Sequence, residues 1–208
     1  MRFLTAVTIT LPLAACAPTE LSSPITGSCE GLEGQNGWPW FEQQMDTADK
    51  PTGFEVGQRA PDFQLVDQFG DPMCLYQLSG NLVLVDASAL WCAPCKEIAK
   101  HASCVADSFE GELVYLTFIG QDESYQPADF PDNTTWADEN GLSVGAATPV
   151  VADGQQIFAT DAWVTSYPSF LLLDRDMTVL AKGMGRPGED AMREKAAEIL
   201  GPPTDTCE

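Results

Sequence analysis

Leu82-Val83-Leu84-Val85-Asp86-Ala87-Ser88-Ala89-Leu90-Trp91-Cys92-Ala93-Pro94-Cys95 decides how the chain reads. Its first four residues form an unbroken apolar run, the pattern of a strand buried on both faces of a parallel sheet. After a short turn, Cys92-Ala93-Pro94-Cys95 opens a segment that reads as a helix from 94 to about 109. Pro94 falls in the first helical turn, where a missing N–H costs little. A cysteine at that junction meets free backbone N–H groups and a helix dipole that favour negative charge. The thiolate, not the thiol, is the nucleophile, so this position activates Cys92. Cys95, one helical turn on, is placed to attack a mixed disulfide on Cys92 and release the product. Cys92 and Cys95 are the candidate redox pair. Two plainer readings compete, a structural disulfide and half of a zinc site. Zinc asks for a second pair or for His ligands at suitable spacing, and His101 is the chain's one histidine. The strand-then-helix setting favours redox chemistry, and no metal or other cofactor is expected.

Outward from this stretch, residues 63–66 read as a short strand, 67–71 as a turn and 73–78 as the hairpin partner. Leu113–Ile119 reads as a second central strand. Asp132-Asn133-Thr134 is positioned to cap a helix ending near Gly141, and Val150-Val151 begins another strand. Ser169–Leu173 and residues 178–181 read as two strands joined at Asp174-Arg175-Asp176. Residues 189–200 close the domain as a helix stopped by Gly201-Pro202-Pro203. The order predicts an α/β fold: a mixed central sheet flanked by helices, with an N-terminal β-hairpin extension.

The chain has 208 residues, suited to one domain with appendages. Its 31 acidic side chains face 10 basic ones, a formal net charge of −21. That balance excludes nucleic acid as a partner, because binding phosphate backbones requires Lys and Arg. It also excludes docking on anionic lipid through a basic patch; the surface reads as strongly solvated. Residues 4–15 are apolar but too short to span a bilayer, and they end in Leu13-Ala14-Ala15-Cys16. This resembles a bacterial lipobox. The resemblance implies a signal peptide over 1–15, lipid on Cys16, and an exported protein held on a bacterial membrane at its periplasmic or cell-surface side. Ala17 stands where some lipoproteins carry the Asp that retains them at the inner membrane, so an outer-membrane address stays open. Setting Cys16 aside leaves six of the seven cysteines. An even set in an exported protein points to disulfides. With Cys92 paired to Cys95, the structural candidates Cys29, Cys74, Cys104 and Cys207 allow three pairings. Residues 16–55 read as a tether and irregular lead-in, whose apolar knot Trp38-Pro39-Trp40-Phe41 is expected to pack on the domain. The compact domain spans 56–201, and 202–208 is a C-terminal tail.

Trp91-Cys92-Ala93-Pro94-Cys95 after a hydrophobic strand resembles thioredoxin. Asp86, six residues before Cys92, falls on that family's buried acid, and the resemblance implies that it moves protons to and from Cys95. Tyr167-Pro168, which lies 73 residues after Cys95 and precedes Ser169-Phe170-Leu171-Leu172-Leu173, resembles the family's cis-proline. That places Pro168 with Cys92, Cys95 and Asp86 as catalytic candidates, and Trp91, Tyr167 and Pro94 as substrate-binding ones. Tyr167 is unusual before that proline. Gly57-Gln58-Arg59-Ala60-Pro61-Asp62-Phe63, then Leu75-Tyr76-Gln77-Leu78-Ser79-Gly80-Asn81, resembles the TlpA/ResA-like, AhpC/TSA-redoxin-like branch. The resemblance covers about 57–200 and implies a thioredoxin-like fold. It further implies a thiol–disulfide oxidoreductase that reduces client protein disulfides outside the cytoplasm, fed by a membrane or periplasmic thiol electron donor. Three alternatives carry distinguishing features. A peroxiredoxin-like peroxidase would place Thr where Ala89 stands. A Sco-like copper-handling protein would use Cys-x-x-x-Cys and a distant His, whereas His101 directly follows the motif and reads as a helix-surface residue. A disulfide-stapled binding module would leave Cys92–Cys95 inert.

Overall fold

The computed structural model describes residues 37–38, 50–143 and 147–207. The expectations for 1–15, Cys16, Cys29 and the Pro39-Trp40-Phe41 part of the apolar knot lie outside the described residues.

Two short strands, β1 (Gln64–Val66) and β2 (Pro72–Cys74), pair antiparallel and lead into a 3₁₀ turn, Leu75–Leu78. There follow β3 (Leu82–Ser88), α1 (Ala93–Ala99), α2 (Ala102–Asp107), β4 (Leu113–Ile119) and α3 (Phe130–Asn140). The chain finishes with β5 (Val150–Ala152), β6 (Ser169–Leu173), β7 (Val179–Met184) and α4 (Gly185–Leu200). The central sheet runs β5-β4-β3-β6-β7. β3 is parallel to β4 and antiparallel to β6, so the sheet is mixed as expected.

β3 and β4 are buried along their whole length, which is why their sequences are apolar without alternation. The pleat still sorts their side chains. Leu82, Leu84 and Tyr115 join a core with Ile98, Val105 and Met192 under α1, α2 and α4. Val83, Val85, Leu116 and Phe118 face the other way, against Phe63, Leu65 and Met73 of the hairpin region and Phe158 and Trp163 of the loop before β6. One face is therefore roofed by helices and the other by the hairpin and a loop. Asn133 of α3 donates to the carbonyls of Val66 (2.9 Å) and Val150 (3.2 Å), stitching hairpin, helix and sheet edge together. Trp38 is buried, and its indole N–H donates to Asp67 Oδ2 at 2.8 Å.

Several boundaries differ from the sequence reading. The strand expected over 73–78 stops at Cys74, because Gln77 Oε1 accepts the Cys74 N–H at 2.8 Å and turns the chain into the 3₁₀ segment. The helix expected from 94 to 109 is two helices. The His101 N–H reaches back only three residues, to Ile98 O at 3.0 Å, and His101, with φ stretched to −102°, stands at the break before α2 restarts. His101 thus precedes α2 as its N-cap rather than lying on one long helix. α3 starts at Phe130, ahead of the expected cap. Asp129 is the cap and Asp132 is its reciprocal partner, accepting the Asp129 N–H at 2.8 Å. α4 begins four residues before 189, with Pro187 in its first turn. Its approach to β7 requires glycines, since a Cβ on Gly183 would lie 2.7 Å from the Gly188 Cα. β7 itself runs on to Met184, three residues past the expected end at 181. Cys104 of α2 is disulfide-bonded to Cys207, so the tail is fastened to α2. Cys74 is also disulfide-bonded.

Candidate active site

β3 runs toward the motif, and the turn that follows it is clamped. The Leu90 N–H donates to Gln121 O at 2.9 Å, and the Cys92 N–H donates to Ala89 O at 3.0 Å. Cys92 then caps α1 in extended geometry, its Sγ accepting the Cys95 N–H at 3.3 Å, with Pro94 in the first turn. Cys92 and Cys95 form a disulfide, and both are buried, with Cys92 only 1% exposed. The first turn of α1 is what bears on Cys92. α1 is only seven residues long, so the extended dipole anticipated from a helix to 109 is absent. Because end effects fall off within one turn, the Cys95 N–H supplies the local positive field that a Cys92 thiolate would meet.

Behind the disulfide lies a buried acid. Asp86 shares the face of β3 with Leu82 and Leu84, which is the face covered by α1 and Cys95. It is fully buried; Ser88 Oγ donates to its Oδ1 at 2.8 Å, and Oδ2 has no hydrogen-bond partner. Burial lifts its pKa to about 7, the Ser88 hydrogen bond works against this, and the Glu189 carboxylate adds a smaller push upward. An acid that titrates near neutrality can accept and return a proton. Glu189 itself is 1% exposed on α4, within 4 Å of Arg186 and Arg193, with Oε2 making no hydrogen bond. Burial raises its pKa and the two guanidinium groups lower it. The Tyr115 hydroxyl, buried and without a hydrogen-bond partner, is raised well above the ordinary phenol range by burial, then by Asp86 and Glu189.

In front of the disulfide the surface is aromatic. The Trp91 indole N–H donates to Gln121 Oε1 at 2.9 Å. Trp91 stacks on Tyr125 at 4.8 Å between centroids and meets Tyr167 edge-on at 6.0 Å. The Tyr167–Pro168 peptide is cis. The Tyr167 hydroxyl lies where any Cβ at residue 120 would stand, 2.1 Å away, so Gly120 is what admits the tyrosine.

The structure thus brings Cys92, Cys95, Trp91 and Pro94 into one turn, sets Tyr167 and Pro168 beside Trp91, and puts Asp86 on the strand behind. Cys104 and Cys207 sit apart as a second disulfide. Sequence reasoning missed Ser88, Tyr115 and Glu189 behind the disulfide, and Gln121 and Tyr125 in front of it. Ser88 carries a usable signal, since two residues along a strand share a face with Asp86. The others come from distant segments and have none.

A mixed five-stranded sheet with a Cys-x-x-Cys disulfide where its central strand meets a helix places the chain among thioredoxin-fold redox proteins. Residues 56–182 match the AhpC/TSA family, and the chain belongs to it. It is similar to thioredoxin-like protein YneN of Bacillus subtilis (strain 168), 26% identical over 79% of this chain and 90% of that one. It is also similar to the thiol-disulfide oxidoreductase ResA of Bacillus thuringiensis (strain Al Hakam), 25% identical over 66% of this chain and 75% of that one. Among solved structures, a thiol:disulfide interchange protein DsbE from Chlorobium tepidum matches in fold with a TM-score of 0.59. It is 23% identical, over 72% of this chain and all of that one. The chain is a thiol–disulfide oxidoreductase of the thioredoxin kind. Among the described residues, no helix is long and apolar enough to cross a membrane.

Proposed function

We propose that the protein reduces disulfides in client proteins outside the cytoplasm through the Cys92/Cys95 couple, held to a membrane by lipid on Cys16. The observation that carries the reading is the Cys92–Cys95 disulfide at the head of α1, with the buried Asp86, whose pKa burial lifts to about 7, on the strand behind it. In the reduced protein the Cys92 thiolate attacks one sulfur of the client disulfide. A Cys92–client mixed disulfide forms, and the other client sulfur leaves as a thiolate that takes up a proton. Cys95 gives its proton to the Asp86 carboxylate and attacks the Cys92 sulfur, releasing the second client thiolate and restoring Cys92–Cys95. The two electrons passed to the client are replaced by a thiol donor that reduces Cys92–Cys95 again. The lipobox-like Leu13-Ala14-Ala15-Cys16 and the disulfides at Cys104–Cys207 and Cys74 support an oxidising, extracytoplasmic setting.

The reduction potential of the Cys92–Cys95 couple tests the direction of electron flow. A value near −270 mV, roughly that of thioredoxin, supports a reductase, and one near −120 mV makes the protein an oxidant. A Cys95→Ser variant is expected to trap a client as a mixed disulfide on Cys92, whereas Cys92→Ser traps none. Hydrogen peroxide turnover at Cys92 as fast as disulfide exchange would replace the reading with a peroxidase. A Cys92–Cys95 bond that resists reduction in the native protein would replace it with a binding module.

A further inference from the structure

Thiol–disulfide exchange at Cys92 brings a client polypeptide onto the surface around Trp91, and that surface has one residue whose placement the fold does not require. Tyr125 sits at the tip of the 121–127 loop with φ +63°, a left-handed backbone that a tyrosine rarely adopts. The loop is rigidly built. Gln121 and Pro127 form a β-bridge, Asp122 Oδ1 accepts the Ser124 and Gln126 N–H groups at 2.7 and 2.8 Å, and the Asp122 N–H donates to Gln126 O at 2.8 Å. Glu123 is ion-paired with Lys96, the residue after Cys95, which ties the loop to the active helix. All this holds an aromatic ring on the Trp91 ring, yet leaves Tyr125 63% exposed. Strained residues of this kind persist where the surroundings force them, and they gather at ligand-contacting sites.

We propose that Tyr125 is a specificity-determining residue: with Trp91 it forms a platform for an aromatic or branched aliphatic side chain next to the client's reactive cysteine. The platform runs as a row, Tyr125 on Trp91 and Trp91 against Tyr167, directly beside a Cys92 that is almost fully buried. A client's sulfur has to come to Cys92, so the residues next to that sulfur meet the row. On the far side of Tyr167, the Ser166 hydroxyl contacts the Met184 thioether at 3.5 Å, and Met184 is exposed, extending the apolar surface past the cis-proline. The charge around the row is acidic. Asp129 and Asp122 act on Asp132 from the loop side, Asp153 and then Asp161 act on Tyr167, and Lys96 is engaged by Glu123. The client this surface fits is an extended, neutral-to-basic polypeptide with a large apolar residue beside its cysteine. This rests on the protein acting on polypeptide disulfides and holds for either direction of electron flow.

The test uses the full-length chain, reduced, and follows its exchange with disulfide-linked peptides that have Trp or Ala beside the cysteine and Lys or Glu further along. Hydroxyethyl disulfide, too small to reach the row, is the reference. The wild-type protein is expected to favour the Trp peptide over the Ala peptide about 10-fold, the scale of one aromatic pair. Lys peptides should outpace Glu peptides, with a gap that closes as salt is raised. Tyr125→Ala should cut the Trp-over-Ala preference below about 3-fold, Tyr125→Phe should keep it. If Tyr125→Ala slows every substrate alike, including hydroxyethyl disulfide, the residue is structural and the proposal fails. An unchanged Trp-over-Ala preference in Tyr125→Ala also overturns it. If the wild-type protein exchanges with no peptide at all, the client-disulfide reading fails with it, whereas exchange without preference sinks the Tyr125 proposal alone.

Discussion

The two sides of the Cys92–Cys95 bond are built from opposite materials. Behind it, Asp86, Tyr115 and Glu189 are ionisable groups sealed from water, each with a polar atom that makes no hydrogen bond. In front of it, Trp91, Tyr125 and Tyr167 are aromatic groups turned partly or wholly to solvent. Each arrangement reverses the usual rule of polar outside and apolar inside. The difference teaches a division of labour. Burial changes the proton affinity of the rear groups by removing their solvation, so in the proposed mechanism it is the rear that sets the pH at which sulfur chemistry runs. Exposed rings leave the proton affinity of Asp86 alone and offer area and shape, so in the same proposal the front sets which client approaches.

The largest effect expected from breaking this division is at the rear. Asp86→Asn should slow disulfide exchange about 100-fold at pH 7, the low end for loss of a proton acceptor. The defect should shrink as pH rises, because hydroxide then competes with the carboxylate as proton acceptor. A defect constant with pH would remove Asp86 from proton transfer. The same variant should report on stability. The folded-state pKa of Asp86, about 7, lies above an ordinary value of 3.8. Its contribution is therefore fully present below pH 3.8 and is lost as pH rises through 7. Asparagine never ionises, so the stability of Asp86→Asn relative to wild type should grow by about 2–3 kcal/mol between pH 5 and pH 8. Denaturant unfolding with the disulfides intact measures this.

A smaller effect is expected at the front. Gln121 holds the segment before Cys92 twice, through the Leu90 N–H and the Trp91 indole. Gln121→Ala removes only the second contact. One neutral hydrogen bond is worth about 1 kcal/mol, so peptide exchange should fall about 3- to 5-fold with no change in its pH midpoint. Trp91 fluorescence should report the freed indole. A moved midpoint would mean that front and rear are not separable.

The sequence reveals these two regions unequally, for physical reasons. β3 and β4 are legible because burial on both faces forces continuous apolar runs. The redox pair is legible because its chemistry fixes a spacing and a strand-to-helix setting. Asp86 is legible because a lone carboxylate inside such a run stands out. The break between α1 and α2 is not, since no Gly or Pro marks Lys100 or His101 and the turn depends on one shortened hydrogen bond. Tyr125 is not, because its exposure and its stack depend on how the 121–127 loop folds back on Trp91. Glu189 is the hardest. It stands among Arg186, Asp190, Arg193, Glu194 and Lys195, which together read as a solvated face. The close Gly183–Gly188 approach draws the start of α4 onto β7, and Glu189 is buried there.

That placement carries the smallest expected effect, and the sharpest one for the comparison. Glu189 pushes the Asp86 pKa up through like charge, as a lesser contribution after burial and against the Ser88 hydrogen bond. The ionisable groups around the pair are Tyr115 from β4 and Arg186, Asp190 and Arg193 from α4. Glu189→Gln keeps the size of the side chain and removes its charge, so Asp86 should ionise at lower pH. Exchange that needs the Asp86 carboxylate rises with pH through that ionisation. Its acidic limb should therefore move to lower pH, by less than about one unit, since burial is retained. Peptide preference should stay as it is, because nothing in front of the disulfide has changed. A limb that stays in place would show that Asp86 is tuned by burial and Ser88 alone. A changed peptide preference would show that the rear of the site reaches the client after all, and the division between the two faces would have to be given up.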